Sequence, residues 1–305
     1  MKLLLTHKAD LDGITPVILL NLVKEDFEYQ LFEVSELNDF ISERISGDYF
    51  SKYDEIFITD LGIDEDIALK IKNSKYHNKF KLFDHHDSRN YLNKYDFAQV
   101  IEEIDGFKEC GTTLFYKHLL NIYPNSILNK NSVIMFVELV RENDTWQFIE
   151  FKNESDNLNA LFSFYGKENF IEHYTEVLQK QNEFYFSELE LEILKGLNEN
   201  KRIYLEEMKD KVIIEKIKNY NIGFVFAEQY RSELGDYLAR IYNDQVDFIA
   251  IINMNRHISF RGIKDIPINK FAEMYGGGGH PKACAMPLKE NIKDMIIKEI
   301  FGENR

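Results

Sequence analysis

Residues 79–92 read KFKLFDHHDSRNYL. An apolar run, Phe80-Lys81-Leu82-Phe83, is followed at once by an acid and two imidazoles, Asp84, His85 and His86. Successive side chains of a strand point to opposite faces, so a core cannot shelter all three. Where a strand ends and the chain leaves the sheet, neighbouring side chains can converge on a crevice instead. In open α/β sheets that crevice, outside the carboxyl ends of the strands, is where ligands bind. The stretch therefore predicts a buried strand with chemistry at its end.

The surrounding sequence supplies a sheet. Lys2–Thr6 and Glu55–Thr59 are further short apolar runs, and 14–24 (ITPVILLNLVK) has helical periodicity. Residues 64–73 (DEDIALKIKN) read as a helix with acids in its first turn, where the helix dipole favours them. Residues 111–120 (GTTLFYKHLL) read as another helix, with Thr112 and Thr113 near its start. This βαβ rhythm predicts an α/β fold with a mostly parallel sheet. From about 169 to 210 the pattern turns helical and charge-rich. Strands are expected again at 212–215, 223–227, 248–253 and 257–261, with a helix at 232–242. The chain thus divides into an N-terminal domain over 1–170, a helical connector over 171–210 and a smaller α/β domain over 211–305.

The bulk numbers fit an ordinary globular protein: 305 residues, 44% hydrophobic and 29% charged. No apolar run approaches the roughly 20 residues that span a bilayer, and the short run at 3–5 is interrupted too soon for a signal-peptide core. The two cysteines, Cys110 and Cys284, form no CxxC pair, so a cytoplasmic location is expected. A net charge of -15 argues against binding long duplex nucleic acid, which relies on Lys and Arg.

Three further segments resemble the DHH triplet in placement. THKADLDGIT (6–15) brings His7, Asp10 and Asp12 after the first strand; EIFIT is followed by Asp60; and Asp144 follows the largely apolar stretch before Thr145-Trp146. Alone, each acid would read as a turn or helix cap. Together, four segments deliver carboxylates or imidazoles to what should be one sheet edge. So many clustered acids repel one another unless cations intervene. Mixed Asp and His donors suit Mn²⁺, Fe²⁺ or Zn²⁺ better than Ca²⁺, and two such ions can activate water for attack on phosphate. In the C-terminal domain, Gly276 to Gly279 precede His280. Glycines without Cβ atoms let backbone N–H groups close on an anion. Arg261 could add a charge-assisted fork.

HKADLDG (7–13), ITDLG (58–62), DHH (84–86) and NDTW (143–146), in this order, resemble the motifs of the DHH phosphoesterase superfamily. SFRG (259–262) and GGGGHPKACA (276–285) resemble its DHH-associated C-terminal substrate domain. The resemblance implies that His7, Asp10 and Asp60 hold one metal and that Asp12, Asp60, His85 and Asp144 hold a second, with Asp60 bridging. It implies that His86 faces the substrate phosphate, oriented with its neighbour by Asp84, and that Thr112 and Thr113 lie at the substrate. Arg261, Gly278, Gly279 and His280 match the terminal-nucleotide grip. The expected activity is that of an oligoribonuclease-like phosphodiesterase, using two divalent ions (manganese by preference) to cut short oligonucleotides such as pApA to mononucleotides. The alternatives are a cyclic mono- or dinucleotide phosphodiesterase, a phosphoadenosine phosphate 3′-phosphatase, or a nucleotide-binding module without catalysis. Neither a membrane nor a long duplex is an expected partner, and a homodimer is compatible with the sequence.

Overall fold

The computed structural model describes residues 1–147, 152–255, 257–289 and 291–302. The chain forms two compact units, Met1–Leu194 and Lys195–Arg305.

In the first unit, β1 (Lys2–His7), α1 (Leu11–Val23), β2 (Phe27–Phe32), α2 (Val34–Arg44), β3 (Glu55–Thr59), α3 (Glu65–Lys72), β4 (Phe80–Asp84) and β5 (Ala98–Val100) follow one another. The five strands pair in the order β2-β1-β3-β4-β5, every neighbour parallel. A small hairpin, β6 (Glu103–Ile104) and β7 (Phe107–Lys108), leads into α4 (Gly111–Ile122), α5 (Asn131–Thr145), α6 (Lys152–Tyr165), α7 (Lys167–Lys180) and α8 (Glu188–Lys209). The division between the units falls within α8.

Strand alternation builds a core on each face of this sheet. Leu3, Leu5, Ile56, Ile58, Phe80 and Leu82 pack with Leu37 and Ile41 of α2 and Ile67 and Ile71 of α3. Leu4, Phe57 and Phe83 face the other way, against α1, α4, α5, α6 and α7. With both faces covered, the strands read as nearly continuous apolar runs, as they do in the sequence. Strand order reverses between β1 and β3, since β1 connects outward to β2 and the chain then returns to β3. That switch point is where an open α/β sheet leaves a crevice at its carboxyl edge.

The second unit holds β8 (Ile213–Ile217), β9 (Tyr220–Phe226), α9 (Arg231–Ile241), β10 (Phe248–Ile252), β11 (His257–Arg261), α10 (Ile268–Glu273), β12 (Gly278–His280), β13 (Ala283–Pro287) and α11 (Ile292–Phe301). Its six strands run β12-β13-β11-β10-β9-β8. Only β9 and β10 are parallel; the other pairs are antiparallel. Leu234 and Leu238 of α9 cover one face with Ile249 and Ile251, and Ile268 and Phe271 of α10 cover the other with Phe248 and Phe260. The expected architecture, a parallel-sheet domain, a helical region and a smaller mixed-sheet domain, is what the chain adopts.

Two sequence expectations require correction. Asp144 is delivered by a helix and not by a sheet edge: in the stretch before it Val133, Phe136, Val137 and Val140 are buried at helical spacing. The glycine tract is only partly a loop, because Gly278–His280 pairs as an edge strand with β13. Among the described residues no helix is long and apolar enough to cross a membrane.

Candidate metal centre

The ends of β1, β3 and β4 meet at the switch point. His7 closes β1, and Asp10 caps α1 by accepting the Gly13 N–H at 3.0 Å. His7 Nδ1 stands 3.2 Å from Asp10 Oδ2 and 3.1 Å from Asp60 Oδ2. His85 Nε2 stands 3.6 Å from Asp60 Oδ1, 3.3 Å from Asp144 Oδ2 and 4.0 Å from Asp12 Oδ2. Ligand atoms of His7, Asp10 and Asp60 lie within 4.8 Å of one another, as do those of Asp12, His85 and Asp144. A third such group joins Asp60 and His85 to Asp84 and His86. Asp60 lies between the first two, close to His7 on one side and His85 on the other. Asp144 reaches the cluster from the last turn of α5 and not from a sheet edge.

The electrostatics of this cluster call for positive charge. Burial, followed by the charge of Asp12, pushes Asp60 up to about 7. Burial and the same neighbour raise Asp144 well above the usual carboxylate range. Burial opposes charge on His7, but its bonds with Asp10 and Asp60 prevail and lift it to about 11. For His85, burial is likewise outweighed by the surrounding Asp60, Asp144 and Asp12 carboxylates, which lift it to about 10. Asp60 and Asp144 hold on to protons while His7 and His85 are driven to be cations, the response of a negative pocket without its counter-ions. His85 Nε2 and Asp144 Oδ2 are also buried without any hydrogen-bond partner. Unsatisfied buried polar atoms are costly, and here they point into the centre of the acid cluster. The donor set and its geometry fit divalent cations.

Around the cluster, other contacts fix its members. Asp84 Oδ1 accepts His86 Nδ1 at 2.7 Å and the His85 N–H at 2.9 Å. An ionised carboxylate only accepts, so His86 carries a proton on Nδ1 and presents Nε2 outward. Its side chain is 53% exposed while Asp84 is fully buried. The bond to Asp84 raises the His86 pKa despite burial. Asp12 is gripped by the start of α4: Oδ2 accepts Gly111 N–H at 2.7 Å and Oδ1 accepts Thr112 N–H at 2.6 Å. A helix N-terminus suits a carboxylate through its free N–H groups and dipole.

Thr112 and Thr113 differ from expectation. Both are buried. The Thr112 hydroxyl donates to the Asp12 carbonyl at 2.8 Å, which Pro16 of α1, lacking an N–H, cannot bond. The Thr113 hydroxyl closes a box with the backbone of Cys110. Both hydroxyls thus serve the backbone behind Asp12. Sequence reading missed Gly111 altogether. It also missed Thr6 and Thr59, buried beneath the cluster, where Thr59 Oγ1 donates to Thr6 Oγ1 at 2.7 Å and Thr6 Oγ1 to the Gly13 carbonyl at 2.6 Å. It missed Glu33, whose Oε2 lies 3.6 Å from His7 Nε2. Each threonine simply ends an apolar run, and nothing in either run signals that the two hydroxyls meet.

In the second unit, Arg261 ends β11. Its Nη2 donates to Ser232 Oγ at 3.0 Å and its Nη1 to the Phe260 carbonyl at 2.9 Å. Burial, with the neighbouring Arg231 adding to it, lowers its pKa. Arg231 Nη1 lies 3.2 Å from His257 Nε2. Most of the glycine tract has a structural cause. Gly276 has φ 77° and Gly279 φ 127°, and a Cβ on Gly277 would stand 2.2 Å from the Ala285 carbonyl. Only Gly278 is free of such a constraint, with nothing within 4 Å of a would-be Cβ. His280 is exposed.

No protein-family model matches the chain. It is 31% identical to the oligoribonuclease NrnB of Bacillus subtilis (strain 168), over 303 residues that span 96% of this chain and 74% of that protein. Its fold is similar to that of a pGpG-specific phosphodiesterase, PggH, from Vibrio cholerae, with a TM-score of 0.50 at 16% identity over 98% of this chain and 97% of the other. It is also similar to RecJ from Thermus thermophilus in complex with Mn²⁺, with a TM-score of 0.54 at 13% identity over 98% of this chain and 51% of RecJ. At 31% identity to the Bacillus oligoribonuclease over nearly its whole length, the chain belongs to the DHH phosphoesterases that carry a DHH-associated C-terminal domain.

Proposed function

We propose that the protein is a Mn²⁺-dependent phosphodiesterase that hydrolyses very short oligonucleotides, dinucleotides such as pApA among them, to mononucleotides. The observation that carries this reading is the convergence of Asp12, His85 and Asp144, with Asp60 3.6 Å from His85 and two buried ligand atoms left unbonded. His7, Asp10 and Asp60 would hold one cation, and Asp12, Asp60, His85 and Asp144 the other. Divalent ions bound there would neutralise charge building on a phosphate and acidify a nearby water. The name of the Bacillus relative supports a short ribonucleotide substrate, and the manganese complex of RecJ supports a divalent ion.

The chain's own groups do the remaining work. His86, oriented by Asp84 through Nδ1 and favoured by it as the imidazolium, offers the second proton, at Nε2, to a phosphate oxygen or to the departing one. Gly111 and Thr112 hold the Asp12 carboxylate in a single orientation, so that it need not reorganise during the reaction. In the second unit Arg261, Gly278, Gly279 and His280 would bind the terminal nucleotide's phosphate, Arg261 through a fork of N–H groups. Thr112 and Thr113 are positioning residues in this reading and not substrate contacts.

A substrate panel tests it. The protein, stripped of metal and then given Mn²⁺, should turn over pApA and pGpG faster than oligonucleotides of ten or more residues, and chelator should abolish the rate. Preferential hydrolysis of cAMP, a cyclic dinucleotide or phosphoadenosine phosphate would replace this substrate assignment. Binding without turnover of anything would reduce the protein to a nucleotide-binding module.

A further inference from the structure

Asp60 has φ 54°. This left-handed conformation is unfavourable for a residue with a Cβ and persists where neighbours over-determine it. The loop that follows Asp60 is pinned largely by one side chain, Arg89. Its stem lies over Gly62 so closely that a Cβ there would stand 2.3 Å from Arg89 Cγ and 2.6 Å from Cδ. Arg89 Nη1 donates to Asp64 Oδ1 at 2.9 Å and to the Tyr91 hydroxyl at 2.8 Å. The Tyr91 hydroxyl passes on to the Ile63 carbonyl at 2.7 Å. Asp64 is braced from its other side by Asn38 of α2, through bonds of 2.9 and 3.0 Å. Gly62, Ile63 and Asp64 are therefore all held by Arg89 or by its partner Tyr91.

The same residue holds the neighbouring loop. The Arg89 N–H donates to the His86 carbonyl at 2.9 Å, just beyond His85. Arg89 thus ties the segment that leaves Asp60 to the segment that carries the two histidines. The arrangement contributes little as an ion pair, because the Asp64 side chain is 55% exposed and such pairs are worth little. Its value lies in geometry: groups around a metal must be held to within about 0.5 Å, and residues behind the ligands do the holding.

We infer that Arg89 is a positioning residue for Asp60, setting the affinity of the acid cluster for its cations without touching cation or substrate. This rests on the metal reading above. Gly62 has a matching role, since it leaves the space in which the Arg89 stem lies.

The test is calorimetric titration of the full, demetallated chain with Mn²⁺, with thermal midpoints as the control for folding. Arg89→Ala should weaken Mn²⁺ binding by roughly 10–100-fold, the usual effect of removing a group behind a ligand, while KM at saturating Mn²⁺ stays near wild type. Arg89→Lys should not restore binding, because the ammonium ends one bond short of Nη1, the single nitrogen that meets both Asp64 and Tyr91. Gly62→Ala, which displaces the stem, should weaken binding as well, and should add nothing in the Arg89→Ala background. If Arg89→Ala fails to fold, Gly62→Ala and Arg89→Lys give the same reading. A wild-type chain that takes up no Mn²⁺ overturns the metal reading and this inference together. Wild-type binding that survives Arg89→Ala unchanged overturns this inference alone. A raised KM with unchanged Mn²⁺ affinity would place Arg89 on the substrate and overturn it too.

Discussion

Gly111 lies against Asp60 with no room for a side chain: a Cβ on Gly111 would stand 2.7 Å from the Asp60 nitrogen and 2.8 Å from its Cα. The start of α4, which also grips Asp12, is thereby locked to the residue that lies between His7 and His85 in the acid cluster. Gly111→Ala must push Asp60 or α4 aside, and neither is a flexible side-chain tip. We expect a loss of about 1–3 kcal/mol in stability, typical of overpacking, and a fall in Mn²⁺-dependent turnover larger than the fraction unfolded explains. Denaturant unfolding and rate measurements on one preparation check this; wild-type values for both would contradict it.

Asp12 and Asp60 are buried and repel each other, and burial with that repulsion pushes Asp60 up to about 7. Without cations the cluster should therefore weaken the fold. Asp60→Asn in chelator is expected to be no less stable than wild type at pH 7, since an amide carries no charge to repel Asp12. It should be inactive. On adding Mn²⁺ the wild-type midpoint should rise with metal concentration and that of the variant should not. Thermal melts with and without metal decide the matter.

The Thr112 hydroxyl donates to a buried carbonyl of Asp12. Thr112→Val leaves that carbonyl unsatisfied and should cost about 1–3 kcal/mol, with KM unchanged. A raised KM at unchanged stability would instead return Thr112 to the substrate.

Arg261 is half-buried, and among the described residues its guanidinium bonds one hydroxyl and one carbonyl, at Ser232 and Phe260. Arg261→Ala should raise KM for pApA by roughly 10–100-fold, the worth of hydrogen bonds to a charged group, and leave Mn²⁺ binding intact. Unaltered KM would remove Arg261 from the substrate grip.

His118 of α4 packs against Phe57, Phe83 and Phe115, and its Nε2 has no hydrogen-bond partner. Burial, helped by Lys81, lowers its pKa to about 4. The unfolded chain therefore binds a proton here before the folded one does, and the neutral ring's contribution is lost as pH falls from about 6.5 toward 4. His118→Phe should reduce the fall in urea midpoint between pH 7 and pH 5. Partial exposure of the ring keeps the expected effect near about 1 kcal/mol. Parallel pH profiles for the two proteins would refute the assignment.

Much of this was legible before any coordinates. Buried strands at 2–6, 55–59 and 80–83 announce themselves because a sheet covered on both faces needs continuous apolar runs. The acids and imidazoles after them stand out because several segments bring them to one sheet edge, although each acid alone would suit a cap. That Asp144 arrives on a helix and not at a sheet edge was not legible, because VIMFVELV is apolar enough to suit either element and only its spacing of buried positions reveals the helix. The glycine tract read as a loop because its sequence does not reveal the close pairing with β13 that Gly277 and Gly279 permit.

The succession of strands and the identity of the polar residues at their ends were written in the chain itself, since burial periodicity and side-chain chemistry are local properties. Tertiary structure alone decided that Gly111 would rest on Asp60, that Thr112 would supply the bond Pro16 cannot, and that Arg89 would span two loops. Each of these joins residues 25 to 100 positions apart, and contacts at such separations are fixed by how helices and loops pack on the sheet. No local pattern in the sequence records them.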